Sequence, residues 1–156
     1  MCIRDRLYAN DIARIDPATG EVQMIRTPFT GPRRLRCDAR GNPWITGFSS
    51  NLIARYNVTT GNFDSWPLPV RSETPYSLNV DRKRNRVWVN GNQSDTILRF
   101  DIASESWKVY PLSRYRSFSR DIEIDDDGSV FTSNSNFPAW QIEDGKPTLI
   151  RIRDTH

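Results

Sequence analysis

Arginine, asparagine and aromatic side chains gather at two recurring places in this 156-residue chain. One group stands at the start of short apolar runs, and the other directly follows runs centred on an aromatic residue. Guanidinium groups bind carboxylates and phosphates through paired hydrogen bonds, and a few amides and aromatic faces complete many small-molecule sites. We therefore predict a binding surface for a small polar or anionic ligand. Its candidate residues are Arg33, Tyr76, Arg120, Asp121, Asn90, Asn92 and Asn134.

These residue types also have a purely structural interpretation. Arginines solvate loop tips and asparagines shape turns, because loops are polar by default. The run Asp125, Asp126 and Asp127 offers clustered oxygens of the kind that bind Ca²⁺, but its position matches other hairpin turns, which favours a turn. Asp121, Glu123 and Asp125 alternate as acid–base carboxylates can, although solvation of an exposed strand is the simpler interpretation.

The chain carries no familiar catalytic or metal-binding set. Its single histidine is His156, where an unanchored tail is expected. Without an internal histidine there is no Ser-His-Asp arrangement, no histidine base and no histidine metal ligand. We therefore assign no catalytic residue, no metal ligand and no cofactor here, and leave Mg²⁺ or Ca²⁺ open for a longer parent protein. Cys37 alternates with Leu35, which predicts a small buried hydrophobic side chain.

Composition limits the partners. The net charge is +3 and the pI is near 9.1, without a run of lysine and arginine interleaved with stacking aromatics. Such a weak, dispersed excess predicts no nucleic-acid partner. No apolar stretch approaches the roughly 20 residues that a membrane-spanning helix needs, which predicts no membrane partner.

The elements that position the candidate residues repeat along the chain. A pattern Asn/Asp-x-Ile-x-Arg-x-Asn/Asp occurs at residues 10–16, 51–57 and 95–101. Ile53 lies 41 residues after Ile12, and Ile97 lies 44 residues after Ile53. A second pattern stays in step, centred on Trp44, Trp88 and Phe131. Repeats of about 40–45 residues built from short β runs are typical of propeller blades. The predicted fold is all-β, a partial β-propeller of about three and three-quarter four-stranded blades.

The repeat also predicts the boundaries. Residues 1–6 match no part of it and look like translated adapter sequence, so we expect a non-native or disordered leader. Blades are predicted over residues 7–30, 31–70, 71–113 and 114–152, followed by a tail at 153–156. The partial first blade is expected to begin with a strand at 7–9. In the last blade, 139–142 is the predicted third strand and 148–152 the predicted fourth.

Turn residues agree with these strands. Gly20 and Gly61 end two equivalent turns that open with Asp or Asn, which indicates a left-handed residue closing each hairpin. Glu105 stands at the same place in the third copy, so that turn is predicted to be strained or differently shaped.

Several motifs recur in register: a proline-led inner strand, Gly-x-x-Trp, Asn-x-Ile-x-Arg-x-Asp, and an aromatic residue followed by Pro-Leu, as at 66–69 and 110–112. Over residues 7–152 this combination resembles the streptogramin (virginiamycin B) lyase family, and propellers of the NHL and gluconolactonase type share much of it. The resemblance implies a seven-bladed ring of which this chain is a fragment, whose other blades are missing here. A closed four-bladed ring is the alternative.

The resemblance also implies a chemistry. In that family a magnesium ion with His and Glu side chains above the ring assists an elimination that opens a cyclic depsipeptide at its ester. Here Gly47, Gly91 and Asn134 follow the second-strand motif where the family often has Glu. We therefore expect the family's catalytic residues to be missing from this segment.

Three hypotheses follow. The chain is a ligand-binding propeller segment, or part of a metal-dependent lyase or lactonase when full length, or a protein-interaction scaffold. The resemblance further suggests a periplasmic or secreted parent protein.

Overall fold

The structure, a computed structural model, describes residues 2–6, 8–134, 146 and 148–154. These residues form fourteen strands, and no helix that could cross a membrane occurs among them. The strands make four antiparallel sheets, which we call blades A to D in chain order. The predicted all-β, propeller-like architecture is confirmed.

Each strand pairs with the next one along the chain within its blade. Blade A contains β1 (Cys2–Arg6), β2 (Asp11–Ile15) and β3 (Val22–Arg26). Blade B contains β4 (Pro32–Cys37), β5 (Pro43–Gly47), β6 (Leu52–Tyr56) and β7 (Phe63–Pro67). Blade C contains β8 (Pro75–Asp81), β9 (Arg86–Gly91), β10 (Thr96–Asp101) and β11 (Ser106–Pro111). Blade D contains β12 (Glu123–Ile124), β13 (Val130–Ser133) and β14 (Leu149–Ile152).

Register shows which position each strand takes in its blade. β6 and β10 carry the repeated Ile-x-Arg pattern, and each lies between a tryptophan-bearing second strand and an outer fourth strand. β2 carries the same pattern and pairs with β1 and β3, so β1 is a second strand and β3 a fourth. The innermost strands β4, β8 and β12 contact one another in succession, as strands around a propeller channel do.

The tight turns follow the predicted chemistry. Gly20, Gly61 and Glu105 close equivalent hairpins, and all three have positive φ. The strain expected at Glu105 is confirmed, because a residue with a Cβ atom adopts this conformation at a cost of roughly 1–2 kcal/mol. Asp125 accepts a hydrogen bond from the backbone N–H of Asp127 at 3.1 Å, which confirms a turn at the acidic run.

The start of blade A differs from the expectation. Residues 2–6 form a strand that pairs along its full length with β2, whereas Tyr8 and Ala9 lie in a turn. The strand expected at 7–9 and the disorder expected at 1–6 are therefore corrected for the described residues. The reason is that ladder hydrogen bonds join backbones, so a side-chain pattern that matches no repeat does not prevent pairing. A non-native origin for this hexapeptide stays a prediction.

The last blade also needs a correction. β14 pairs directly with β13, so it is the third strand of blade D and not the fourth. The strand expected at 139–142 lies outside the described residues. Arg151 stands opposite Phe131 just as Arg55 stands opposite Trp44, so β14 has the register of the Ile-x-Arg pattern, with Leu149 in place of the isoleucine. The copy was missed because residues 134–148 precede it, whereas the equivalent connection in blade B is only 48–51.

The core consists of apolar layers between successive blades. Between blades B and C, Trp44 stacks on Trp66 with ring centroids 5.1 Å apart, and Phe100 packs against both rings. Ile12 of blade A and Ile45 of blade B belong to a second layer. A third layer joins blades C and D through Trp88, Ile97, Ile122 and Val130. Each blade therefore shields the apolar face of its neighbour from water, as expected for a repeat that cannot bury its own faces.

The loop before each third strand holds the linker to the next blade. Asn10, Asn51 and Asp95 are the first residues of the repeated pattern, and all have positive φ. Their side chains bond the linkers at Gly31, Val70 and Arg116–Ser117, respectively. Cys37, predicted to be buried, is only partly so because it ends β4, although burial raises the pKa of its thiol.

Candidate functional site

The candidate site begins at one repeat position of the innermost strands. Arg33, Tyr76 and Arg120 are equivalent residues of blades B, C and D, because each lies two positions before a buried or partly buried Leu or Ile, which lies in β4, in β8 or directly before β12. In blades B and C a bulge interrupts the strand pairing at this residue. Bulges bend a strand and re-aim a side chain, so the fold turns these residues out of the regular ladder. We call this end of the channel the rim.

Arginine and aromatic rings form a compact group at the rim. The guanidinium carbon of Arg33 lies 3.7 Å from the ring centre of Tyr76 and 5.0 Å from that of Phe48. The two rings meet edge to face, with centroids 6.3 Å apart. The guanidinium carbon of Arg120 lies 5.7 Å from the Tyr76 ring centre. We call Arg33, Phe48, Tyr76, Arg120 and Asp121 the rim cluster.

Positive charge dominates the surroundings of Tyr76. A hydrogen bond with the Arg33 guanidinium lowers the pKa of the Tyr76 phenol. The partial burial of the phenol opposes this shift, whereas the charges of Arg33, Arg120 and Arg34 reinforce it. Arg34 and Arg120 are exposed. Among the ion pairs of the described residues, none includes Arg33 or Arg120. Their charges are thus available to a ligand.

Asp121 provides the acidic side of the rim cluster. Its carboxylate accepts hydrogen bonds from the Ser77 hydroxyl at 3.1 Å and from the backbone N–H of Ile122 at 3.0 Å. The Ser77 contact connects blade C to blade D. Asp121 is itself exposed, so its carboxylate can also accept a hydrogen bond from a bound molecule.

Two of the three asparagines predicted for the site, Asn90 and Asn134, are buried and form hydrogen bonds within this chain. Asn90 is fully buried; it accepts from the Ser77 backbone N–H at 2.7 Å and donates to Ser119 at 3.2 Å. Asn134 is also buried, and its amide bonds the backbone of Lys146 and Thr148. The hydrogen bonds of both amide side chains connect segments of this chain to one another.

Asn92 is partly exposed, and its backbone N–H donates to the carbonyl of Glu73 at 3.1 Å. Phe48 occupies the equivalent place in blade B, because it follows Gly47 as Asn92 follows Gly91. Phe48 belongs to the loops that the sequence predicted at this end of the channel, although it is not among the candidate residues given above. Aligning the loops after the second strands would have placed it beside Tyr76.

A magnesium site of the kind that the family resemblance implies does not fit the described residues. No group of three or more His, Cys, Asp or Glu side chains among them is placed to hold a metal ion. Asp121 is the one acidic member of the rim cluster, whose other charged members are Arg33 and Arg120. Positive neighbours oppose the binding of a cation.

Comparison with known proteins agrees with this geometry at the level of the fold. No protein-family model matches the chain, and no curated protein matches it. Among solved structures, virginiamycin B lyase from Staphylococcus aureus superposes with a TM-score of 0.72 at 20% identity over 94% of this chain and 50% of that one. The chain has a streptogramin-lyase-like β-propeller fold. A second streptogramin B lyase structure gives a TM-score of 0.73 at 18% identity over 94% of this chain and 49% of the other.

The chain therefore spans about half the length of the streptogramin lyase structures that it resembles. A candidate 6-phosphogluconolactonase from Bacteroides uniformis is also similar, with a TM-score of 0.62 at 13% identity, covering 80% of this chain and 43% of that one. At such identities the likeness establishes a shared propeller fold and assigns no residue a role. The resemblances to streptogramin lyases and to gluconolactonase-type propellers are confirmed at that level, and the likeness to NHL propellers stays a prediction.

Proposed function

We propose that this propeller segment binds a small anionic molecule at the rim cluster. The proposal is supported chiefly by one observation: Arg33 stacks on Tyr76 at 3.7 Å, with Arg120 at the equivalent position of the next blade. Stacking holds the guanidinium plane in place while leaving its N–H edge able to bond an oxyanion in bidentate fashion. A preorganised guanidinium loses little side-chain entropy when a ligand binds.

The neighbours of Arg33 narrow the chemistry of that ligand. Phe48 and Tyr76, whose rings meet edge to face, offer apolar surface beside the guanidinium, which suits a ring or short hydrocarbon part of the molecule. Asp121 accepts a hydrogen bond and therefore suits a hydroxyl or amine group. The favoured ligand class is a carboxylate or phosphate that also carries a flat or hydroxylated body.

Catalysis is not part of this proposal for the segment itself. The described residues lack a fitting metal set, and no histidine occurs among them. We propose that any lyase or lactonase activity of a longer parent protein draws on residues of other blades. The rim cluster then contributes binding, because its arginines, aromatics and lone carboxylate offer anchoring and no acid–base pair.

The test is a binding titration with defined probes. Isothermal titration of the whole chain with benzoate, citrate and inorganic phosphate should show saturable binding of at least one, whereas neutral benzamide and glucose should bind weakly. Arg33→Gln and Arg120→Gln should each weaken that binding by about tenfold or more, because a hydrogen bond to a charged group contributes roughly 1.5–3 kcal/mol. Arg40→Gln is the matched control, since Arg40 is exposed on a hairpin after β4, at the far end of that strand from Arg33.

If all three variants bind the anion as tightly as the unaltered chain does, the anion binds elsewhere. If binding weakens as much in Arg40→Gln as in Arg33→Gln, the variants act only through the net charge of the chain. Absence of saturable binding of all three anions would contradict the proposal.

A further inference from the structure

A second group of cations lies away from the rim, between blades C and D. Asp154, which follows β14, extends its carboxylate onto blade C, and 3% of that side chain is exposed. It accepts hydrogen bonds from Arg86 Nη1 at 2.9 Å, Lys108 Nζ at 3.1 Å and the Tyr110 hydroxyl at 2.9 Å. Arg99 donates to the same carboxylate. Four donors from one blade thus converge on one anionic side chain from the next.

The equivalent place in blade B explains why blade C needs this contact. Arg55 and Asp64 are cross-strand partners on β6 and β7, and they form an ion pair at 2.7 Å. In blade C the same two positions hold Arg99 and Lys108. Blade C therefore has a second cation where blade B has an acid, and its missing negative charge comes from Asp154.

The rest of the surroundings do not neutralise these cations. Asp101 is the other described acidic group near them, and its carboxylate lies 4.0 Å from Arg86 Nε. Arg99 is 14% exposed and Arg86 22% exposed, so water screens their charges only in part. Uncompensated charges in such a place are strongly unfavourable.

We propose that Arg86, Arg99, Lys108 and Tyr110 form an oxyanion site on the face of blade C, which the chain fills with its own Asp154. The site latches blade D to blade C, and it binds a small free carboxylate once the Asp154 side chain is removed. The donors are arranged for two oxygens of one planar carboxylate: Oδ2 takes both arginines, and Oδ1 takes the lysine and the tyrosine. Formate and acetate have the same pair of oxygens.

The first test removes the latch and returns an anion. Asp154→Ala should lower the Tm of the whole chain by roughly 10 °C, the size expected when a buried charge network loses one partner. Sodium formate or acetate should restore at least half of that loss, while sodium chloride at the same ionic strength restores less. Asp126→Ala is the matched control, because Asp126 is an exposed aspartate whose carboxylate pairs with a lysine, Lys83, and with no arginine among the described residues. It should neither lower Tm appreciably nor respond to formate.

The second test moves the acid instead of adding one. Lys108→Asp recreates the Arg55–Asp64 pairing of blade B within blade C. In the Asp154→Ala background this change should raise Tm, because Arg99 regains an acidic partner. In the unaltered chain the same change should lower Tm, because it removes a donor and places a second carboxylate beside Asp154. A change in Tm that is positive in one background and negative in the other is the result expected only if Lys108 and Asp154 share one charge site.

The outcomes distinguish the proposal from simple packing. If Asp154→Ala lowers Tm but neither formate nor Lys108→Asp restores it, the residue acts through packing and the oxyanion site is wrong. If Asp154→Ala leaves Tm unchanged, no latch exists. If Asp154→Ala does not fold, Lys108→Asp/Asp154→Ala still decides, because the proposal requires that double variant to fold more stably than Asp154→Ala alone.

Discussion

Glu73 is an unusual residue for the linker that leads to the rim. Its side chain is fully buried; Thr96 donates to one carboxylate oxygen, and the other has no partner among the described residues. The equivalent linker residues of blades B and D are Thr30 and Ser117, which carry neutral hydroxyls. Burial therefore raises the pKa of Glu73 above its usual value of 4.5, although hydrogen bonds from hydroxyl groups oppose the shift. Desolvation favours the neutral acid.

This leads to a prediction about pH. A carboxyl with a raised folded-state pKa binds its proton more tightly in the folded chain than in the unfolded one, so its ionisation lowers the free energy of unfolding as pH rises above about 4.5. Glu73→Gln should therefore be more stable than the parent chain at pH 8, with the difference shrinking toward pH 4. Urea denaturation at several pH values measures this. Glu105→Gln, which alters an exposed glutamate, should show no such trend.

If ionisation of Glu73 instead raises the free energy of unfolding of the unaltered chain, the predicted direction of the pH dependence is wrong.

Gly91 makes the buried position of Glu73 possible, because a Cβ atom at residue 91 would lie 1.9 Å from a Glu73 carboxylate oxygen. The sequence indicated a polar loop at this point, but it could not indicate that the loop turns its acid inward. The buried position of Glu73 depends on the close approach of the Gly91 backbone at the end of β9.

At the scale of elements, the first residue of the Asn-x-Ile-x-Arg pattern is a linker clamp. The backbone carbonyls of Asn10, Asn51 and Asp95 also accept from the residue that follows each fourth strand, at 2.9, 3.0 and 2.8 Å. A short polar side chain in the left-handed region can bond neighbouring backbone at little cost, which suits Asn and Asp to this task. The pattern thus recurs because each blade must secure the chain leaving it.

Asp95 makes the strongest of these clamps, and its removal is a test. It accepts from the backbone N–H groups of Arg116 and Ser117 and from the Ser117 hydroxyl, each at 2.7 Å. Asp95→Ala should reduce the free energy of unfolding by about 3 kcal/mol, because it leaves a buried linker without its charged acceptor. Chemical denaturation provides the measurement. Asn51→Ala removes a single hydrogen bond to the linker and should cost about 1 kcal/mol, so equal losses would contradict the clamp.

Much of the element-level picture could be predicted because the repeat is local. Strand lengths, hairpin turns and the equivalence of Tyr76 with Arg120 follow from side-chain alternation and turn residues over short stretches. β1 could not be predicted in this way, since residues 2–6 match no part of the side-chain pattern and pair with β2 as a backbone ladder. Asn90 could not be placed either, because its burial depends on the meeting of two blades.

At the scale of the whole molecule, the layers between blades hold the structure together. Phe100 shows this most clearly: it is fully buried, and its ring contacts Trp44 and Trp66 of the preceding blade. The repeat period predicted that blades stack. It could not predict that aromatic residues of neighbouring blades would interleave, because that depends on the angle between sheets.

Phe100→Ala should therefore destabilise the whole chain and not only blade C. Removing a buried phenylalanine costs about 3–5 kcal/mol, which corresponds to a Tm lower by roughly 10 °C or more for a chain of this size. Tryptophan fluorescence and far-ultraviolet circular dichroism should report the same lowered midpoint. Val109→Ala, at a partly exposed position on β11, should change Tm by only about 1–2 °C. Two separate midpoints in Phe100→Ala would mean that the blades unfold independently.

The position of Asp154 in the chain has a consequence for biosynthesis. A ribosome delivers Arg86, Arg99 and Lys108 well before it delivers Asp154, so a nascent chain that stops short of β14 has blade C complete in backbone but with Asp101 as its nearby described counter-charge. Mutual repulsion then lowers the stability of that sheet until translation supplies Asp154. We therefore expect blade C to reach its full stability only after β14 has been made, so that this pair of blades matures together although the chain emerges one strand at a time.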